Sequence, residues 1–334
     1  MAIPELKIKK LISLSKEFAD LKLWEYMDSD GLFALNNRAD NQISYISVMG
    51  NLGEVFGLAV YHGENGRLAY EKLIDLSNSD NELDHYDIPF IQDAITIYFC
   101  RRKNEADPAD LRMIKQSGVI FSNKNMFPIF RIHTPGFHNW QIGENEADIL
   151  ISVLEDIVGL AEILKNRKHD FHDAGKYILF EKIDNLWKTR KISAQSSPSV
   201  KSEPDKLESK SIPFALINKA KSSVWEMHYF YSNMSVRDKS KRPYFGVICL
   251  IVDSTTGLVV SHAVVSSFDE AKKQLPDILS GVIAKGKTIP KEIHYVRPEI
   301  AITLDKTAGD LKIVLKKNNL PNILNIVNSL KSRL

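Results

Sequence analysis

The sequence predicts two domains of mixed helix and strand. The first is an acidic α+β domain over residues 1–193 with a mixed or antiparallel sheet. The second is a basic α/β domain over residues 212–334 whose elements run β-β-β-α-β-α-β-α. Three observations support this. The chain has 334 residues, and domains commonly hold roughly 100–200. The stretch Ala194–Ser211, AQSSPSVKSEPDKLESKS, has six serines, two prolines and six charges. It is too polar to offset the entropy of ordering it, so it reads as a flexible linker. Finally, the net charge of +2 conceals −6 on residues 1–193 and +8 on residues 212–334, a change of sign across the linker.

Composition narrows the class further. A hydrophobic share of 44% is enough for a sizeable core. The longest uncharged apolar stretch, Pro243–Val252, is far short of the ~18–20 residues that cross a bilayer. The opening MAIPELKIKKLISLSKE has neither an apolar signal region nor a small-residue cleavage site. Two cysteines, Cys100 and Cys249, make neither a disulfide framework nor a cysteine zinc site. A cytoplasmic protein with no membrane association is expected.

In the first domain, Leu11, Leu14, Phe18 and Leu21 recur at helical spacing. Strand-like runs follow at Leu32–Leu35, Tyr45–Met49 and Val55–Tyr61, punctuated by NN, GNLGE and HGENG. Arg67–Leu76 reads as a helix and Ala94–Cys100 as a strand. Asp107-Pro108 places a capping side chain and a first-turn proline before a helix at Leu111–Gln116. Phe127–Ile132 is strand-like. A long helix carries the stripe Leu150, Val153, Leu154, Ile157, Val158, Ala161 and Leu164, with acids at its start and bases at its end. Tyr177–Ile183 and Trp187–Ile192, joined through Asp184-Asn185, form a hairpin.

In the second domain, Val224–Tyr231 reads as a strand, and Tyr244–Val252 as a strand buried on both faces. The DSTTG turn, Asp253–Gly257, leads into Leu258–Val265. Ser267–Glu270 is a capping box opening the stripe Ala271, Leu275, Ile278, Leu279 and Val282, which Pro276 is expected to kink or split. Glu292–Arg297 is a strand, and Ile300, Leu304, Ala308 and Leu311 mark a helix. A short strand at Ile313–Lys316 precedes a last helix carrying Leu320, Leu324, Val327 and Leu330.

The segments SYISVMGNLGEVFGLAVYHGENG and FPIFRIHTPGFHNW, with the Trp187 hairpin and the basic second half, resemble an uncharacterised bacterial two-domain family. That resemblance implies no function. The element order of residues 212–334 is similar to the ribonuclease H-like fold, in which three antiparallel strands are extended by two parallel ones. Active members hold two divalent cations on acids from the first strand, the first helix, the end of the fourth strand and commonly the last helix. Carried onto this chain, that plan selects Glu226, Glu270 or Asp277, and Glu299, with magnesium or manganese as the cofactor. The plan is degraded. The first strand offers Glu226 where Asp is usual, Glu299 lies beyond Pro298, and the last helix has Asn322, Asn325 and Asn328 but no acid. Glu226 shares a strand face with His228 by period-2 alternation, while Asp253 and Glu270 have structural uses in a turn and a cap. The expected function is therefore a non-catalytic binding or interaction module with no cofactor, and a metal-dependent nuclease or phosphoryl-transfer enzyme is the alternative. The +8 charge, with Lys285, Lys287, Lys291, Lys316 and Lys317, suits nucleic acid or an acidic partner, unless the −6 domain compensates it.

Other constellations have ordinary readings. His169-Asp170-Phe171-His172-Asp173 follows a basic helix end and reads as a solvated connector. His133 and His138 flank Pro135-Gly136 near Trp140 and read as packed loop histidines. The glycines at 50, 53, 57, 63 and 66 match neither a phosphate loop nor a dinucleotide fingerprint, so they read as turns and close backbone contacts. Arg101-Arg102-Lys103 reads as a solvated strand end, and no Gly-x-Ser-x-Gly elbow occurs.

Overall fold

The computed structural model describes residues 3–28, 31–121, 126–166, 171, 176–193, 220–237, 241–286 and 288–331. The segment Ala194–Ser211, expected to be a linker, and four of the five residues from His169 to Asp173 lie outside them. The chain forms two compact units. One comprises Met1–Ile74, Gln92–Pro135 and Asn139–Ser199; the other comprises Asp75–Ile91, Gly136–His138 and Val200–Leu334. Two segments from within residues 1–193 thus belong to the second unit, a departure from the division expected from composition.

The first unit is built on a seven-stranded mixed sheet in the order β5-β4-β3-β2-β1-β6-β7. Its strands are β1 Phe33–Asn36, β2 Ile43–Met49, β3 Gly57–His62, β4 Ala94–Cys100, β5 Phe127–His133, β6 Lys176–Ile183 and β7 Leu186–Ser193. Only β1 and β6 pair in parallel. Its helices are α1 Glu5–Leu21, α2 Gly63–Ser77, α4 Pro108–Gln116 and α5 Glu144–Asn166. Alternate residues of β2 and β3 are buried on opposite faces. Ile46, Val48, Leu58 and Val60 join the core with α1 and α5, while Tyr45, Ala59 and Tyr61 pack with Tyr70 and Leu73 of α2. Both faces are covered, which explains the continuous apolar runs in the sequence.

Local chemistry explains several boundaries. Asp110 accepts from the Asp107 backbone amide, and Arg131 pairs with both acids at 2.7 Å, pinning α4 to β5. Asp184 and Asn185 take positive φ of 53° and 61° in the β6–β7 turn, the geometry that right-twisted hairpins favour. At Gly57 a Cβ would lie 2.2 Å from the Ile97 carbonyl oxygen, so only glycine fits there.

The second unit has a five-stranded sheet in the order β10-β9-β8-β11-β12. Its strands are β8 Ala220–Val236, β9 Tyr244–Asp253, β10 Val259–Val265, β11 Thr288–Tyr295 and β12 Val314–Lys317. Strands β8, β9 and β10 pair antiparallel, and β11 and β12 extend the sheet in parallel from β8. Helices α6 Phe268–Lys285, α7 Pro298–Asp310 and α8 Pro321–Lys331 complete the order β-β-β-α-β-α-β-α. A short helix, α3 Glu82–Asp87, joins them from the first half of the chain.

Two local expectations change. Helix α6 runs unbroken through Pro276, which is only half-buried, so solvent can satisfy the carbonyl that proline leaves unbonded. In the capping box, Ser267 Oγ accepts from the Glu270 amide as expected, but the Glu270 carboxyl reaches past the cap to accept from the Ser266 amide and hydroxyl.

Candidate functional site

Strand β8 sorts the candidate acids by face. Phe230 packs with Leu83 and Tyr86 of α3, and with Leu320, Ile323 and Val327 at the α8 end. Tyr231 stacks on Phe268 at the start of α6, and Tyr229 meets the same ring edge-on. By alternation, Glu226 and His228 share the α3/α8 face with Phe230. Glu270 and Asp277 belong to α6, on the opposite face. Glu299 lies in the first turn of α7, a helix that packs against α6 on that same opposite face. The sheet therefore separates Glu226 from Glu270, Asp277 and Glu299. Among the described residues, no group of three or more His, Cys, Asp or Glu side chains could hold a metal ion.

Glu226, Glu270 and Asp253 each have an identifiable occupation. Glu226 is fully buried. Its Oε1 accepts from Asn322 Nδ2 at 2.7 Å and its Oε2 from the Ile323 backbone amide at 3.0 Å. Helix α8 begins at Pro321, which has no N–H, and Glu226 takes up a free amide of the first turn from a strand 97 residues earlier in the chain. Asn322 also donates to the Ser254 carbonyl. Two facing acids would need a shared proton or a cation between them, whereas a Glu–Asn pair satisfies itself. The pKa of the Glu270 carboxyl is lowered from its ordinary value by hydrogen bonds from the Ser266 hydroxyl and amide and from Gln274. Asp253 Oδ1 accepts from the Thr255 and Thr256 amides and the Thr256 hydroxyl, fixing its own turn.

His228 is fully buried, and neither ring nitrogen has a hydrogen-bond partner. Burial lowers its pKa to about 4, against a smaller opposite pull from Asp84. It is neutral at pH 7. Nearby, Arg297 is stacked on Tyr229 and Phe268, its guanidinium 5.0 and 4.8 Å from the ring centres, and forms a buried ion pair with Asp87 at the end of α3.

The first unit holds a side-chain network that no local motif announced. Ser44 and His62 face each other across the β2–β3 register, with Ser44 Oγ 2.8 Å from His62 Nδ1 and Asp40 Oδ2 2.8 Å from His62 Nε2. Asn37 donates to Ser44 Oγ. The imidazole forms part of the wall of a cleft of about 360 Å³ with Asp93, whose carboxyl burial pushes up. Ser44 itself is fully buried, so its hydroxyl positions His62 and is not presented to solvent. Only the hairpin register brings these residues together, and spacing alone does not give it. The expected histidine pair divides between the units: His133 is bonded to Thr96 and Tyr98, and His138 is stacked on Phe245. Cys100 and Cys249 are buried and unpaired with each other.

Comparison with known proteins agrees with a chain made of two domains of unknown function. It belongs to the family described as a domain of unknown function (DUF7309), whose model matches residues 9–181. A second model, also a domain of unknown function (DUF6930), matches residues 215–331. No curated protein matches the sequence. A solved structure similar to part of the chain is the catalytic core domain of BIV integrase, at 16% identity and a TM-score of 0.25. The likeness covers 33% of this chain and 65% of that one, less than two thirds of its length. No helix among the described residues is long and apolar enough to cross a membrane.

Proposed function

We propose that the second unit is a ribonuclease H-like domain that has no catalytic chemistry and acts as a binding or interaction module. The strand order β10-β9-β8-β11-β12, with three antiparallel strands extended by two parallel ones, supports the fold assignment. The observation that carries the non-catalytic reading is the commitment of Glu226 to Asn322 and to the α8 amide. Two-metal hydrolysis needs carboxylates converging on cations ~3.5–4 Å apart, and this first-strand acid is turned to the opposite face from the others. Exposed Lys291, Lys312, Lys316 and Lys317 around β11 and β12 give the module a basic edge for an acidic partner.

The test is direct. Purified full-length chain, supplied with magnesium or manganese, is expected to leave RNA, DNA and their hybrid intact relative to a metal-free control. Metal-dependent cleavage abolished by Glu299→Gln, a variant that leaves the α8 cap in place, would establish the nuclease instead. In a binding assay with the same nucleic acids, affinity that falls steeply with salt marks phosphate contacts, and no binding at low salt removes nucleic acid as the partner.

A further inference from the structure

We infer that the chain forms a symmetric dimer by pairing β10 with β10 of a second copy. Sheet edges invite association unless guarded, and charges, prolines and short strands are the usual guards. Of the four edge strands, β12 has four residues and ends in Lys316 and Lys317, β7 carries Lys188, Arg190 and Lys191, and β5 contains Pro128 and Arg131. Strand β10, VVSHAVV, has no proline, lysine, arginine or acid. Among the described residues it pairs only with β9, and its one irregularity, at Val260, leaves Ser261–Val265 in regular register. Val259 and Val264 are 49% and 64% exposed.

The surface beside this edge is self-complementary. A groove of about 870 Å³ runs between β10 and α6, lined by Ser261, Ala263, Asp277, Gly281 and Lys285 among others. Asp277 and Lys285 lie four residues either side of Gly281, so all three share one helix face. A Cβ at Gly281 would meet nothing within 4 Å, and the bare backbone lets another helix approach closely. A two-fold axis beside Gly281 and the middle of Ser261–Val265 runs the two α6 helices antiparallel and sets each Asp277 opposite the other copy's Lys285. The same axis joins the β10 strands antiparallel and closes the interface on itself, so that β10 is no longer an open edge and only the guarded edges remain. The second copy is therefore favoured over an unrelated extended peptide: opposite charges at ±4 about a glycine match their own inverse. This pairing does not depend on the absence of catalytic chemistry.

Sedimentation of the full-length chain up to ~100 µM, enough to populate a dimer of micromolar Kd, is expected to show a two-subunit species. Asp277→Lys and Lys285→Asp should each weaken it by ~tenfold or more, and the double exchange should restore it, as reciprocal charge placement requires. Val264→Lys, a guard residue on the edge, and Gly281→Gln should also weaken it; a Cβ at Gly281 has open space in the monomer, so the melting temperature of Gly281→Gln should not fall at concentrations where the parent is monomeric too. A monomer at ~100 µM overturns the proposal, as does a dimer indifferent to Gly281→Gln and to the charge exchanges. Binding of an extended peptide along β10 by a monomeric chain would overturn it in favour of a different occupant.

Discussion

Replacing Glu226 tests the reading of the second unit at its centre. In Glu226→Ala, the Ile323 backbone N–H loses its acceptor and the Asn322 amide is left with the Ser254 carbonyl alone. Leaving a buried donor unsatisfied costs about 1–3 kcal/mol, and the deleted methylene packing adds ~1 kcal/mol. The expected loss is about 3–5 kcal/mol, at the upper end for a single substitution. Glu226→Gln keeps the volume and one acceptor oxygen, but its amide nitrogen then faces a donor. Asn322 can rotate to accept from it only by giving up the Ser254 carbonyl, so the expected loss is about 1–3 kcal/mol. Asn322→Ala removes one side-chain partner and should cost less than Glu226→Ala. The assay is urea unfolding, with the two units allowed separate transitions. Trp225 adjoins Glu226, and the other three tryptophans, Trp24, Trp140 and Trp187, belong to the first unit. Keeping Trp225 and replacing the others by phenylalanine therefore isolates the relevant signal. A Glu226→Gln midpoint equal to or above that of the parent would refute the capping argument.

The remaining predictions concern both units. Trypsin should cut first between Ala194 and Ser211, at Lys201, Lys206 or Lys210, and the fragments should then co-elute on gel filtration because residues 75–91 belong to the second unit; first cleavage within α5 would refute the linker assignment. His228 has a folded pKa of about 4 against ~6.5 unfolded, so the unfolded chain takes up the proton first. Its contribution is present above pH ~6.5 and is lost as pH falls towards 4, on the order of 3 kcal/mol. Urea midpoints at pH 7 and pH 4.5 should therefore differ less in His228→Leu than in the parent, and equal differences would count against a buried neutral imidazole. Gly57→Ala should destabilise the first unit by several kcal/mol or prevent folding, since its Cβ would press on the Ile97 carbonyl; a normal melting temperature would contradict that contact.

Much of the architecture was legible because its signals are local. The Asp107-Pro108 start of α4, the stripe of α5, the Asp184-Asn185 turn and the buried β9 run each express a rule that operates within one or two turns of chain. Helix α3 was not legible. ELDHYD is too short to display a helical period, and it is held by long-range contacts: Leu83 and Tyr86 docked on Phe230, and Asp87 paired with Arg297. The candidate acids were legible as residue types but not as a site. Period-2 alternation placed Glu226 beside His228 correctly, yet nothing local says that α8 will bring Asn322 and an amide onto that carboxyl. The Asp40–His62–Ser44 network was hidden for the same reason: its members meet through strand register. Local chemistry is written in consecutive residues, whereas the partner of a buried polar group is chosen by packing.

The assignment of α3 to the second unit changes how the chain can be divided. The polypeptide passes between the two units five times, at 74/75, 91/92, 135/136, 138/139 and 199/200. A protein expressed from Ile212 onward would lack Tyr86, which covers Phe230, and Asp87, which neutralises Arg297. Breaking a buried ion pair in this way costs about 3–5 kcal/mol, much of the stability of a small domain. During synthesis α3 emerges from the ribosome before any strand of the sheet it joins. It must wait, with Leu83 and Tyr86 uncovered, until β8 has been made. The two halves are separate families in composition and charge, but they are not interchangeable beads, and a recombination event at the linker would deliver a second half without one of its own helices.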